Sequence, residues 1–354
     1  MSRFFSEKYR HLTPYTPGEQ PKNRRFVKLN TNESPYSPSP LAREYAAKAA
    51  ESLQLYCDPD CTALTEKLAA LYGIEKENIL FTNGSDEALN FAFMAFCDDA
   101  HPAVFPDITY GFYPVFAQIN NLPYTEIPLR DDFTVDVDDY CGVNKTVFIA
   151  NPNAPTGVAL PLSEIERIVI SNPDNIVVVD EAYVDFGAES AVSLITKYDN
   201  LIVTQTFSKS RSLAGGRLGM ALACAELIRD LNTVKYSTNP YNVNSVTQAA
   251  GLGALTDDEY FRHNCAEIME NRAYLTDELS HLGFITTDSS TNFVFAKHPD
   301  LDGGQLYLDL KERGVLIRHF TLDRIRDYNR ITVGTREQLD ILLKHIKDIL
   351  GGTP

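Results

Sequence analysis

Residues 204–219 read Thr-Gln-Thr-Phe-Ser-Lys-Ser-Arg-Ser-Leu-Ala-Gly-Gly-Arg-Leu-Gly and follow directly on Leu201-Ile202-Val203. The apolar, β-branched tripeptide reads as a buried strand. Hydroxyls, glycines, a lysine and two arginines then crowd into a few positions. Taken alone, Lys209 is simplest as a surface lysine. The competing reading is an amine desolvated enough to attack a carbonyl and form a Schiff base. The neighbours favour the second reading, because Ser208 beside it and Arg217 eight residues on make a cradle for a phosphate dianion. A lysine that holds an aldehyde next to a phosphate site points to pyridoxal 5'-phosphate.

That cofactor demands a carboxylate to keep its pyridine nitrogen protonated, since the protonated ring is the electron sink. Ile176-Val177-Val178-Val179 ends in Asp180-Glu181-Ala182-Tyr183, so Asp180 falls at a strand end, where α/β sheets hold ligand groups. A second phosphate contact follows the short strand Ile79–Thr82. There Asn83-Gly84-Ser85-Asp86-Glu87 leads through a Ser-Asp N-cap into an apolar helix, Ala88 to Phe96. Gly84, Ser85 and Asp86 thus open a helix whose free N–H groups and positive dipole end suit an anion.

Ser208-Lys209 with Leu213-Ala214-Gly215-Gly216-Arg217-Leu218-Gly219 resembles the lysine motif of the fold-type I pyridoxal-phosphate aminotransferases, and Asp180-Glu181-Ala182-Tyr183 resembles their cofactor-nitrogen motif. Within that superfamily the chain is most similar to the histidinol-phosphate aminotransferase family, through segments running from residue 12 to residue 337. The resemblance implies an α/β fold, with a three-layer α/β/α large domain of mostly parallel sheet and a small α+β domain. It also implies a homodimer in which Lys209, Asp180 and Tyr183 are catalytic. Tyr183 supports the cofactor's phenolic oxygen, while Ser85, Asp86, Ser208 and Arg217 hold its phosphate. Gly84 and Thr206 belong to the same site, and Tyr110 stacks on the ring. Tyr56, in Leu55-Tyr56-Cys57-Asp58-Pro59, crosses the dimer to the phosphate of the neighbour's cofactor.

The loop Asn151-Pro152-Asn153-Ala154-Pro155-Thr156-Gly157 resembles the family's cofactor loop with one departure. The family has an asparagine where this chain has Ala154, and that asparagine donates to the phenolic oxygen. Alanine cannot. Tyr183 alone, Asn151, Asn153 or a water is left to make the contact, and Asn153 stands as a cofactor-binding candidate.

The chain-wide numbers bound this reading. A chain of 354 residues is long enough for a large core and two domains. A formal net charge of -16 argues against nucleic acid or an anionic membrane as partner, since both need a basic face. A local arginine pair can still hold a small anion. No apolar run reaches the length of a membrane span, and the first residues lack a signal-peptide core. The cysteines, at positions 57, 61, 97, 141, 224 and 265, form no disulfide framework, and Cys57 and Cys61 lack the partners of a zinc site. The expectation is a cytoplasmic protein with reduced thiols and no metal.

Residues 1–40, rich in Pro, Asn and Tyr, predict an extended arm that contributes to the small domain and the active site. Residues 41–245 are expected to form the large cofactor-binding domain and 246–354 the small one. Helices are expected over 40–53 and from Thr62 to Tyr72, the latter with Leu64, Leu68, Leu71 and Tyr72 in one apolar stripe and Gly73 as its stop. A long helical region from about 240 to 282 reads as a hinge. Gly314 to Arg318 reads as one strand, Tyr328 to Thr335 as another, and an amphipathic helix follows.

The resemblance also names substrate residues. Tyr15, in Leu12-Thr13-Pro14-Tyr15-Thr16-Pro17-Gly18, and Asn32, in Lys28-Leu29-Asn30-Thr31-Asn32-Glu33, match N-terminal motifs at the substrate. Arg330 takes the α-carboxylate of glutamate, and Arg318 its distal carboxylate or the phosphate of histidinol phosphate. Arginine binds either group through two parallel hydrogen bonds. The implied reaction passes an amino group from glutamate to imidazole acetol phosphate, giving histidinol phosphate and 2-oxoglutarate, with Lys209 moving the proton. An aromatic or broad-specificity aminotransferase shares every cofactor residue. A pyridoxal-phosphate-dependent amino acid-phosphate decarboxylase is the third reading, and carbon dioxide rather than a keto acid marks it.

Overall fold

The computed structural model describes residues 2–21 and 24–351. The outermost residues of the expected arm and small domain, 1 and 352–354, lie outside the described residues. The arm carries one short strand, β1 (Val27–Lys28), and leads to α1 (Pro40–Ala49) and α2 (Thr62–Tyr72). The chain then builds its large sheet from β2 (Ile79–Thr82), β3 (Ala103–Pro106), β4 (Tyr124–Ile127), β5 (Thr146–Ala150), β6 (Val177–Asp180), β7 (Leu201–Thr206) and β8 (Gly219–Ala223). Their order is β2-β8-β7-β6-β5-β3-β4. The pairings from β7 to β4 are parallel, while β8 runs antiparallel to both neighbours. The expected mostly parallel α/β architecture is therefore the one observed.

Strand sequence and layer structure correspond directly. In β5, Val147 and Ile149 join one buried cluster and Phe148 joins the other. In β6, Val177 and Val179 part from Val178 in the same way. Successive side chains of a strand point to opposite faces, so a strand covered on both sides is apolar throughout. One face is covered by α2 and α5 (Leu162–Ser171), the other by α3 (Ser85–Phe96), α4 (Tyr113–Ile119) and α6 (Ala225–Thr238).

The expected helical region from 240 to 282 is two helices, α7 (Ser245–Thr256) and α8 (Asp258–His281). Asn244 caps the first, its side chain accepting from the Thr247 amide at 2.9 Å. Helix α7 packs on α1 so closely that a Cβ on Gly253 would lie 2.5 Å from the Leu41 carbonyl. It shares the large sheet's cluster through Ala250 and Ala254, although the expected boundary after residue 245 assigns it to the small domain. Leu71 is exposed rather than part of the buried stripe of α2.

The last third adds β9 (Ile285–Thr286), β10 (Phe293–Lys297), α9 (Gly303–Glu312), β11 (Val315–Leu316), β12 (Arg318–His319), β13 (Asn329–Thr332) and α10 (Arg336–Gly351). An antiparallel sheet runs β12-β13-β10-β9. The expected single strand over 314–318 divides, because β11 pairs in parallel with β1 of the arm while β12 pairs with β13. The arm strand and β11 thus form a separate two-stranded sheet, and Thr31 and Glu33 beyond β1 line the cavity at the ends of the large sheet.

Candidate active site

The C-terminal ends of β5, β6 and β7 converge on a cavity lined by Ala150, Asp180 and Thr206, the position at which open parallel sheets hold ligands. Asp180 is only 4% exposed. Its carboxylate accepts from the Tyr113 hydroxyl at 3.2 Å and the Thr204 hydroxyl at 3.3 Å. Thr204 is its register partner on β7, a contact legible once the parallel strands are aligned. Tyr113 carries no comparable signal in the sequence. Burial pushes the Asp180 carboxyl up to about 6, against the pull of these hydrogen bonds. The next residue, Glu181, is turned away into a separate network of Ser190, Gln205 and the Ala191 amide.

Lys209 enters the same cavity from the loop after β7, its Nζ donating to the Thr31 carbonyl at 3.3 Å and lying 5.7 Å from the centre of the Tyr183 ring. Tyr183 stands edge-on to Phe293 of β10, with centroids 5.2 Å apart. Its hydroxyl oxygen accepts from Asn32 Nδ2 at 2.9 Å. Asn32 is thus joined to Tyr183, and it also lines the wider opening beyond it.

At the other end lie Ser85, Asp86, Thr206, Ser208 and Arg217. Helix α3 begins at Ser85, and its N-cap is Gly84 at φ 80°. The expected Ser-Asp cap is therefore the helix's first turn, which leaves its N–H groups open to a ligand. Arg217 Nη2 meets Asp86 at 2.8 Å, and the Tyr110 hydroxyl donates to the same carboxylate at 2.5 Å. Gly84 has a backbone conformation that side-chain-bearing residues rarely adopt, and a Cβ there would lie 2.5 Å from that guanidinium nitrogen and push it aside. A Cβ at Gly219 would lie 2.2 Å from the Ser85 nitrogen, so glycine also lets β8 carry Arg217 up to the helix.

Asn153 does not line this cavity. Its Nδ2 donates to the Ile108 carbonyl at 2.9 Å, and its Oδ1 accepts from Thr109 at 2.7 Å. Asn151 is bound at both ends to Leu160. Ala154 alone of the three lines the cavity, beside Tyr183.

A wider opening continues toward Tyr15, Arg318 and Arg330. Tyr15 stacks on Phe112 with centroids 4.3 Å apart. Arg330 lies 5.2 Å from the Phe293 ring centre and donates to the Asn30 carbonyl at 3.3 Å, while its buried Nε has no partner among the described residues. Burial pulls its pKa below the ordinary guanidinium value, as for a cation short of an anion. Arg318 donates to the Thr16 and Pro17 carbonyls at 3.3 and 3.4 Å. Tyr56 lies outside both cavities, 83% exposed and stacked on Tyr241 at 4.6 Å.

The residues fit pyridoxal phosphate on their own chemistry. A buried carboxylate without a cation suits a protonated ring nitrogen. A glycine-opened space between a helix N-terminus and an arginine suits a phosphate. A lysine stands between them.

Comparison with known proteins points the same way. The model of the family "aminotransferase class I and II" matches residues 24–346. Among curated relatives, the histidinol-phosphate aminotransferase of Brachyspira hyodysenteriae is 47% identical over 99% of this chain and 99% of its own. That of Acinetobacter baumannii (strain AB307-0294) is 48% identical over 98% of each. The crystal structure of histidinol-phosphate aminotransferase from Sinorhizobium meliloti in complex with pyridoxal-5'-phosphate superposes with a TM-score of 0.85, covering 93% of this chain and 92% of that one. At 22% identity it speaks for the fold.

The raised Asp180 value has a consequence for stability. A carboxyl whose folded value lies above its ordinary 3.8 stabilises the fold below that pH, and the contribution is lost as pH rises through about 6. In the cofactor-free protein, Asp180→Asn should therefore raise unfolding stability by about 1–3 kcal/mol near pH 8. The gain should fade toward pH 5. Urea unfolding at the two pH values checks this, and equal stability of the two proteins near pH 8 contradicts it.

Proposed function

The chain belongs to the class I and II aminotransferases, among the relatives of histidinol-phosphate aminotransferase, and from that premise we propose how its cavity is used. It is a pyridoxal-phosphate-dependent transaminase, and its reaction exchanges an amino group between histidinol phosphate and 2-oxoglutarate. The observation that carries the reading is the meeting of Lys209, a buried carboxylate and a phosphate cradle in one cavity that opens toward two arginines.

When bound, the cofactor supplies a carbonyl that captures the amino group and a ring that takes up the electrons of the Cα–H bond. The chain's own residues do the rest. Asp180 holds the ring nitrogen protonated, and burial strengthens that pairing. Thr206, Ser208, Arg217 and the first turn of α3, with Ser85 and Asp86, anchor the phosphate, while Gly84 keeps its space open and Tyr110 covers the ring. The Lys209 amine takes the proton from the substrate's Cα and delivers it again on the cofactor side. Arg330 takes the α-carboxylate in its half-buried pocket. Arg318, nearer the arm and Tyr15, takes the distal carboxylate of glutamate or the phosphate of histidinol phosphate. Both are anions, so one clamp serves both half-reactions.

The working unit is a homodimer. Tyr56, Leu55 and Leu53 are exposed side by side, an apolar group that an isolated chain leaves in water. In the dimer Tyr56 reaches the neighbour's cofactor phosphate. Division into an arm (1–40), a large domain (41–245) and a small one (246–354), a cytoplasmic setting and the lack of a nucleic-acid or membrane partner belong to the same proposal. Among the described residues no helix is long and apolar enough to cross a membrane.

The test is a spectral half-reaction. Mixing the holoenzyme with histidinol phosphate should convert the visible cofactor band rapidly to the pyridoxamine form, with glutamate also active and phenylalanine slow. Phenylalanine reacting faster overturns the substrate assignment. Wild-type turnover by Lys209→Ala overturns the mechanism. For the dimer, sedimentation should show twice the chain mass, and Tyr56→Phe should weaken pyridoxal phosphate binding roughly tenfold, the worth of one lost hydrogen bond to a charged group. A monomer with full activity rules the dimer out.

A further inference from the structure

Asn32 is 1% exposed and sits in the left-handed region at φ 54°. Its amide N–H donates to Thr332 Oγ1 at 2.9 Å, and that hydroxyl donates back to its Oδ1 at 3.0 Å. Asn292 Nδ2 holds its carbonyl at 3.0 Å. The side-chain amide is placed with Oδ1 toward that hydroxyl and Nδ2 toward Tyr183. The Tyr183 oxygen therefore accepts, at 2.9 Å, and its own proton has no protein acceptor among the described residues. Tyr183 lines the cavity with Ala154, where an asparagine side chain would have offered a second donor. The two nearby asparagines, Asn151 and Asn153, are committed to their own loop and its neighbours.

We infer that Asn32 is a positioning residue: by donating to the Tyr183 oxygen it turns the phenolic proton into the cavity, and this relay replaces the donation that an amide at position 154 would make. The inference deepens the aminotransferase reading and rests on it. It moves Asn32 from substrate contact to control of Tyr183. Thr332, which locks the relay, stands two residues from Arg330 on the same face of β13, so one strand serves both the substrate carboxylate and the tyrosine.

The test is the pH midpoint of the bound cofactor's visible absorption band. A donor to the phenolic oxygen favours its ionised form, so losing the donor raises the midpoint. Asn32→Gly is the variant of choice, because glycine accepts a positive φ. It should raise the midpoint by roughly half a unit to one unit, the scale of one hydrogen bond. Thr332→Val, which leaves residue 32 intact, should shift it in the same direction. Tyr183→Phe should shift it at least as far, and the Asn32→Gly/Tyr183→Phe double variant no further than Tyr183→Phe alone. Adding Ala154→Asn to Asn32→Gly should bring the midpoint back down. The charged groups lining the two cavities, Glu19, Glu33, Asp86, Asp107, Asp180, Lys209, Arg217, Arg318 and Arg330, are unchanged throughout, as are His319 and Tyr110. Wild-type midpoints in Asn32→Gly and Thr332→Val overturn the inference, as does an Asn32→Gly shift that adds in full to that of Tyr183→Phe. A wild-type protein with no visible band when mixed with pyridoxal phosphate overturns the aminotransferase reading, and the inference with it.

Discussion

One buried carboxylate sets the terms for the rest of the site. Asp180 ends a central strand, is buried at the wall of the cavity, and accepts from two hydroxyls, with no cation bonded to it among the described residues. Burying an ionised carboxylate unpaired costs several kcal/mol, on the order of what a whole domain has to spare. Its raised pKa expresses that cost. The arrangement persists because the sheet leaves it no alternative: β6 is hydrogen-bonded on both sides, and its register fixes Thr204 beside Asp180. A cationic ring in the cavity relieves the cost, and the same low dielectric that penalises the lone charge strengthens the pair.

The cations stand at more than one place along the connected cavities. Beside the start of α3, Arg217 is held by Asp86, and Gly219 is placed where any side chain would collide with the Ser85 backbone. At the wider opening, Arg330 lies between aromatic rings with an Nε unpaired among the described residues, and Arg318 rests on main-chain carbonyls of the arm. Both are partly desolvated cations whose best available partners are anions that are not part of the chain. A protein with a strong overall negative charge can bind acidic substrates because these few guanidinium groups dominate the field locally.

Much of this was legible in the sequence, and the reason is geometric. Parallel strands buried on two faces leave unbroken apolar runs, and the residues just past them are the ones that face a ligand. Asp180, Ser208 and Lys209 were singled out in that way, and the structure brings them into one cavity. What could not be found depends on partners distant along the chain. Asn32 touches Tyr183 and Thr332, which are 151 and 300 positions away, so its role is invisible to any local pattern. The break at Ile317 has the same cause, since β11 takes its partner from the arm. Asn153 looked available because the sequence does not show that Ile108 and Thr109 fold back onto its amide. The start of α3 was displaced because Gly84, at a positive φ, takes the N-cap position with no side-chain cap, and Ser85 falls inside the first turn.

The ring nitrogen of bound pyridoxal phosphate reports most directly on the central claim. Nitrogen-15 NMR of the holoenzyme carrying labelled cofactor distinguishes a protonated from an unprotonated pyridine. The account predicts a protonated nitrogen in the wild type that stays protonated near pH 8, and an unprotonated one in Asp180→Asn at the same pH. An unprotonated nitrogen in the wild type, or no difference between the two proteins, would contradict it.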